Sequence, residues 1–166
     1  MTPALVFYDI LKKKFNHFVS SDNRGLNYID SKKYNLIVIE TPQILKNLIL
    51  LPIKISSIFI QILKSLIFLK RNKIEIILST GGYAPVPICL AGIILGLKIF
   101  IYEPNQVIGR SNKFFLKFCK KVFCHNKKII NFPNKFKKKI FIISPLVRKN
   151  FFKIRKKKNK KFCILV

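Results

Sequence analysis

The chain has 166 residues, which is enough for one domain with a buried core. Half of the residues are apolar and 13% are aromatic, a composition that excludes an intrinsically disordered chain. The 33 Lys and Arg residues outnumber the 6 Asp and Glu residues, and the formal net charge of +27 favours an anionic partner such as a phosphorylated ligand, an acidic membrane or a nucleic acid.

Apolar segments along the chain predict helices that alternate with short strands. Thr2 and Pro3 are typical of a helix start, and the helix is expected to extend to Leu11. Further predictions are strands at 17–20, 35–40, 74–79, 97–103, 121–124 and 141–143, a polar loop at 21–25, and helices at 43–70, 85–96 and 110–118. Such strands, apolar throughout and separated by helices, predict a doubly wound α/β fold with a parallel sheet covered on both faces.

The long apolar stretch at 44–69 is a possible membrane segment. Polar residues, prolines or charges interrupt it at Lys46, Pro52, Lys54, Gln61 and Lys64. Because a lysine at the centre of a spanning helix costs about 2.5–3.5 kcal/mol, a true span is disfavoured. We expect an amphipathic helix that lies on a membrane or packs on the sheet.

Cysteine and histidine spacing argues against a zinc site. No CxxC pair occurs, and the only histidines are His17 and His125. Reduced cysteines in or near a core are therefore expected at Cys89, Cys119, Cys124 and Cys163. His125 is interpreted as a lone surface histidine. No signal peptide is predicted, because Asp9 and a lysine cluster closely follow Met1.

Candidate ligand-binding residues follow the predicted strands. Residues 80–83 (Thr-Gly-Gly-Tyr) form a strand-to-helix turn whose backbone N–H groups can approach a phosphate. Glu103 and Asn105 follow the next strand, where a carboxylate can act as a general base or hold a sugar hydroxyl. Arg148 lies just past a later strand and can hold a pyrophosphate. A purely structural glycine turn, and a loop carboxylate paired with Arg110, remain open alternatives.

Four segments resemble the MurG family, the peptidoglycan glycosyltransferases that add N-acetylglucosamine to lipid I. In chain order these segments are 79–87, 101–105, 109–113 and 145–148. The resemblance implies the N-terminal, Rossmann-like half of a GT-B fold, with the acceptor on this half and the UDP-sugar mostly on a second domain. Residues 1–152 are then the acceptor domain, and 153–166 are a basic linker followed by the first strand of a donor domain.

The resemblance also implies roles for individual residues. Asn105 and Arg148 match residues that contact the nucleotide sugar, and Glu103 matches an acidic residue at the cleft, which makes it the candidate catalytic residue. Gly81, Gly82 and Tyr83 match a loop placed to receive the lipid diphosphate. The implied membrane contacts are Leu51, Ile53, Lys54, Ile55 and Phe59.

The implied partners are UDP-N-acetylglucosamine, undecaprenyl-linked lipid I and the anionic inner membrane, at its cytoplasmic face. No metal and no cofactor are expected. The family's first glycine-rich loop, with its candidate catalytic histidine, would precede Met1. Pro104 replaces a glutamine usual in the family, and Ser144 replaces an asparagine. We therefore expect no transfer by this chain alone.

Two other interpretations remain open. The chain could be the acceptor subunit of a split transferase that needs a separate donor subunit. It could also be a basic nucleic-acid-binding module, since phenylalanine and lysine are mixed at 132–141 and 151–162. Abundant Lys, Ile, Asn and Phe together are typical of AT-rich genomes, so most of the charge is interpreted as compositional. Without a recognised motif, no specific nucleic-acid partner is expected.

Overall fold

A computed structural model describes residues 3–27, 29–41 and 51–146, with the side chains of 51–54 left aside. Its helices are α1 (Pro3–Leu11), α2 (Asn23–Leu26), α3 (Leu51–Arg71), α4 (Val86–Ile94) and α5 (Arg110–Phe115). Its strands are β1 (Val19–Ser21), β2 (Leu36–Val38), β3 (Ile76–Ser79), β4 (Lys98–Glu103), β5 (Lys121–Cys124) and β6 (Ile140–Ile142). A 3₁₀ helix, Asn134–Lys139, precedes β6.

All strand pairs are parallel, and they form two sheets. β1 pairs with β2, while β3, β4, β5 and β6 pair in that order. Each parallel connection contains a crossover, as the alternation of apolar strands and helices predicts. The doubly wound α/β architecture expected from the sequence is therefore confirmed.

The main core lies between the four-stranded sheet and helices α3, α4 and α5. Ile101 in β4 and Val122 in β5 are fully buried, and they belong to the same core cluster as Phe115 of α5. Helix α4 packs closely on the sheet at Gly92, where a Cβ atom would lie 2.3 Å from Ile77 Cδ1. Close approach of a helix to a sheet explains why a glycine occupies this helical position, despite its cost of about 1 kcal/mol relative to alanine.

A smaller cluster lies at the two-stranded sheet, where Leu5, Val19 and Ile29 are buried together. Helix α1 packs on this sheet and also reaches the larger one, because the ring of Phe7 meets the ring of Tyr102 edge-on with centroids 5.1 Å apart. One helix thus ties the two sheets together on this side.

Helix α3 has one buried face and one exposed apolar face. Gln61, Ser65 and Leu69 are buried, and the Ser65 hydroxyl donates to the carbonyl of Gln61 at 2.7 Å, which satisfies it inside the core. The exposed apolar side chains are Ile55, Phe59, Ile60, Leu63 and Ile67. This is the amphipathic helix predicted for the segment. Among the described helices, none is both long and apolar enough to cross a bilayer.

One local prediction was wrong. Residues 21–25 were expected to form a loop, but Asn23–Leu26 is helical because the Asp22 side chain accepts a hydrogen bond from the Gly25 amide at 3.0 Å and caps the turn. Residues 42–50, which begin the predicted long helix, and 147–166, which include the predicted linker and last strand, lie outside the described residues.

Candidate functional site

Two turns leave the carboxyl ends of neighbouring strands. They are the glycine turn (residues 80–85), after β3, and the asparagine turn (residues 104–109), after β4. Ser79 and Ile101 are partners in the parallel ladder, so both turns leave the same edge of the sheet. Ligands of open α/β sheets bind outside this edge.

The glycine turn has a backbone that other residues rarely adopt. φ is +85° at Gly81 and +80° at Gly82, a region that glycine enters at no steric cost. A Cβ atom on Gly82 would meet nothing within 4 Å, so the space beside it is open. Tyr83, the next residue, is 44% exposed. This part of the turn is accessible to a ligand.

The asparagine turn is held by the carboxylate of Glu103, which is 2% exposed. Oε1 accepts from the backbone N–H and from Nδ2 of Asn105, at 3.2 and 3.1 Å. Oε2 accepts from the Gly109 amide at 2.8 Å and from Asn112 Nδ2 at 2.9 Å. Since Asn105 and Gly109 are at opposite ends of the turn, one carboxylate fixes both ends.

Asn112, in α5, joins the two turns. It is 1% exposed, and its Nδ2 donates to Glu103 Oε2 and, at 3.4 Å, to the Tyr102 carbonyl. A Cβ atom on Gly81 would lie 3.1 Å from the same Nδ2. Asn112 therefore lies beside both turns at this edge of the sheet. The sequence shows Asn112 only as part of the 109–113 segment. It does not predict a role for Asn112 in the site, because nothing in the sequence marks an asparagine as buried.

His125 is another residue that the sequence interpretation missed. It was expected to be a lone surface histidine, but its Nε2 lies 2.8 Å from the Tyr102 hydroxyl and its Nδ1 lies 3.1 Å from the Ile143 carbonyl. The carbonyl can only accept, so Nδ1 carries a proton, and in the neutral imidazole Nε2 accepts from Tyr102. Burial, with the nearby charge of Glu103, raises the pKa of Tyr102. Tyr102 lies in β4 and His125 directly follows β5, so the parallel pairing of these two strands brings the side chains together. The predicted pairing of these strands was the one sequence signal that could have indicated this contact.

Basic residues lie beside the asparagine turn. Lys127 and Lys128 line an open depression of about 450 Å³ together with Gln106, Asn126 and Ile130. The depression borders the turn through Gln106, because the Ile130 amide donates to the Gln106 carbonyl at 2.7 Å. Positive charge is thus concentrated next to the asparagine turn.

The structure brings together four of the residues predicted for the site, Gly81, Gly82, Glu103 and Asn105, and Tyr83 continues the glycine turn. Arg148 lies outside the described residues. Ile55 and Phe59 are 56% and 60% exposed on α3. Leu51, Ile53 and Lys54 begin α3, but their side chains are outside the description. Within the described residues, no group of three His, Cys, Asp or Glu side chains could hold a metal ion.

The fold and the site together define a Rossmann-like α/β domain. At the carboxyl edge of its sheet, where such domains bind ligands, an open glycine turn lies next to a hydrogen-bonded asparagine turn. Residues 1–124 match the glycosyltransferase family 28 N-terminal domain. The chain therefore belongs to glycosyltransferase family 28.

Two relatives have similar sequences over most of this chain. One from Pelagibacter ubique (strain HTCC1062) is 43% identical over 92% of the chain, and one from Rickettsia typhi (strain ATCC VR-144 / Wilmington) is 33% identical over 89%. Both are named UDP-N-acetylglucosamine–N-acetylmuramyl-(pentapeptide) pyrophosphoryl-undecaprenol N-acetylglucosamine transferase. The chain spans 43% and 38% of their lengths.

A solved structure has the same fold. The crystal structure of Acinetobacter baumannii MurG matches with a TM-score of 0.66 and 18% sequence identity, over 92% of this chain and 44% of that chain. The described domain therefore has the architecture of the N-terminal half of a GT-B fold, as the sequence predicted.

Proposed function

We propose that this chain supplies the acceptor half of a transferase that moves N-acetylglucosamine from UDP-N-acetylglucosamine to undecaprenyl-linked lipid I. The observation that supports this most is the contact between the two turns through Asn112. In this proposal, the open glycine turn beside Asn112 is suited to a diphosphate, and Asn112 also binds the carboxylate that holds the turn carrying Asn105. Both named relatives are transferases of this donor and acceptor.

In this proposal the glycine turn receives the lipid diphosphate. Consecutive glycines with positive φ allow backbone N–H groups to face an anion, and Lys127 and Lys128 add positive charge beside the asparagine turn. Asn105 and Arg148 contact the nucleotide sugar, Tyr83 borders the acceptor, and Glu103 belongs to the same site. Since the named relatives are more than twice as long, we assign most of the UDP-sugar site to a donor domain or a separate donor subunit.

The acceptor assignment is tested by NMR titration of the ¹⁵N-labelled chain with a soluble lipid I analogue that has a shortened prenyl chain. We expect chemical-shift changes centred on Gly81 and Gly82, and weaker changes for an analogue that lacks the diphosphate. Changes confined to surface lysines, or equal changes with both analogues, would contradict the assignment.

The need for a donor half is tested by a transfer assay with UDP-N-acetylglucosamine and the same lipid I analogue. We expect no product from this chain alone, because the donor contacts are incomplete. Fusing this chain to the segments of the Pelagibacter ubique relative that lie before and after its matched region is expected to restore product. Asn105→Ala in that fusion is expected to reduce product about tenfold, the effect of a lost hydrogen bond of ~1.4 kcal/mol. Turnover by the isolated chain would overturn this part of the proposal.

We further propose that the exposed apolar face of α3 lies on the anionic inner membrane, at the cytoplasmic face. Phe59 and Ile67 are 60% and 67% exposed on this face, and Lys64 and Arg71 border a depression next to it. Apolar side chains flanked by basic ones are typical of helices that lie in the headgroup region, where each cation contributes about 1 kcal/mol near an acidic leaflet. The proposed contact also includes Ile55 and, by the sequence resemblance, Leu51, Ile53 and Lys54, which begin the same helix.

Vesicle sedimentation tests the membrane surface. We expect binding to vesicles that contain phosphatidylglycerol and little binding to pure phosphatidylcholine. Phe59→Ser is expected to weaken binding about tenfold, because burying a phenylalanine contributes about 1.5–3 kcal/mol. Phe15, which is 56% exposed beyond α1, provides the matched control Phe15→Ser. Equal effects of the two substitutions would show that α3 is not the contact.

A further inference from the structure

The carboxylate of Glu103 has no accessible lone pair left. Each oxygen accepts two hydrogen bonds, from Asn105 on Oε1 and from Gly109 and Asn112 on Oε2. A carboxylate offers about four acceptor positions, and here all four are taken. The side chain is also 2% exposed.

The negative charge of Glu103 is balanced by N–H groups rather than by a cation. Ion pairs among the described residues join Lys12 to Asp9 and Arg24 to Asp22, and none includes Glu103. A buried carboxylate is stable only when its hydrogen bonds are complete. Losing a buried donor such as Asn112 would therefore be costly.

A general base must offer a lone pair to the proton that it removes. Glu103 could do so only by breaking one of its hydrogen bonds to Asn105, Gly109 or Asn112. We propose that Glu103 is a positioning residue, which fixes Asn105 for the sugar nucleotide and, through Asn112, sets the glycine turn against it. This role rests on the proposed function, because that function supplies the sugar nucleotide that Asn105 contacts.

The same bonds determine which face Asn105 offers to a ligand. Its backbone N–H and its Nδ2 both donate to Glu103 Oε1. Its Oδ1 has no hydrogen-bond partner among the described residues, and Asn105 is exposed. Asn105 therefore presents an acceptor, so the ligand group that it contacts must be a donor, such as a sugar hydroxyl or an amide N–H.

Glu103→Gln separates positioning from base catalysis. Glutamine has the same shape, but one of its terminal atoms becomes an NH₂ group. That group must then face the two donors of Asn105 or the donors of Gly109 and Asn112, so one half of the network is lost. Glu75, which is exposed at the start of β3, gives the matched control Glu75→Gln.

The first readout needs no ligand. In ¹⁵N-labelled chain, we expect Glu103→Gln to speed hydrogen exchange of the Asn105 side-chain NH₂ or of the Gly109 amide at least tenfold, while Glu75→Gln changes neither. Unchanged exchange at both groups in folded Glu103→Gln would overturn the proposal. If that variant does not fold, the wild-type chain decides, because a Gly109 amide that exchanges as fast as an exposed loop amide would overturn it equally.

The second readout is UDP-N-acetylglucosamine binding by this chain fused to the C-terminal region of the Pelagibacter ubique relative, which supplies the donor half, followed by the chemical shifts of Asn105. A positioning role predicts at least tenfold weaker binding by Glu103→Gln, whereas a base would leave binding unchanged and affect only turnover. Unchanged binding would therefore overturn the proposal. If the fusion with the unchanged chain binds the nucleotide sugar without a shift at Asn105, the proposed function fails for this residue, and the exchange readout still tests whether Glu103 holds it.

Discussion

The glycine turn and the asparagine turn leave the same sheet edge but are built in opposite ways. The glycine turn has open space beside Gly82 and a half-exposed Tyr83. The asparagine turn is held at both ends by one buried carboxylate, Glu103. An open backbone can receive a ligand of variable shape, whereas a fixed turn can orient one side chain. The proposed function therefore assigns substrate reception to the glycine turn and substrate orientation to Asn105 in the asparagine turn.

Asn112 lies between the two turns, and its substitution should lower the free energy of unfolding more than any other substitution considered below. Asn112→Leu removes the Nδ2 donor to Glu103 Oε2 inside the core, and we expect a loss of about 3 kcal/mol in the free energy of unfolding, the upper range for a hydrogen bond to a charged group. Urea titration measures it. Asn105→Ala removes a donor to the same carboxylate at an exposed position and is expected to cost only about 1 kcal/mol. Equal losses would mean that burial does not distinguish these two donors.

Two alanine substitutions in the glycine turn should destabilise the chain to different degrees. Gly82→Ala introduces only the cost of a positive φ, because its Cβ would meet nothing, and we expect a loss of about 1–2 kcal/mol. Gly81→Ala adds a contact at 3.1 Å with Asn112, so its loss should be larger, about 2–3 kcal/mol. Thermal unfolding of both variants checks the order. The reverse order would show that Asn112 yields easily and does not couple the turns.

The free energy of unfolding at alkaline pH tests whether the thiols in the core beneath both turns are buried. Burial raises the pKa of Cys89, below the glycine turn, from 9.0 to about 12, and a hydrogen bond from Ser79 opposes this in part. Burial also raises the pKa of Cys124, near Glu103. An unfolded chain ionises these thiols above about pH 9, whereas the folded chain retains their protons. Stability should therefore fall as pH rises from 9, by up to about 1.4 kcal/mol per pH unit for each such thiol.

Urea titrations at neutral and alkaline pH measure this slope. Cys89→Ala should reduce the alkaline slope by about one proton, and the slope that remains should reflect Cys119, Cys124 and Tyr102, whose pKa values are also raised by burial. A flat profile up to pH values well above 9 would show that the thiols ionise freely in the folded chain.

Local sequence patterns predicted much of the fold. Apolar runs located β3, β4 and β5 within two residues, because a strand buried on both faces needs continuous apolar side chains. Pro3 marked the start of α1. The 3₁₀ helix at Asn134–Lys139 was not predicted, because its lysine-rich sequence has no apolar periodicity.

For the candidate site, the sequence by itself determined its parts: a glycine pair after one strand, and Glu103 and Asn105 after the next, with helices between them. Chain order and residue type are local properties, so these parts could be read directly. Only the tertiary structure decided that the parts touch, that Asn112 joins them, and that all four acceptor positions of Glu103 are occupied. Those facts depend on parallel pairing and on burial, which bring together residues far apart in the chain and remove the water that would otherwise satisfy them.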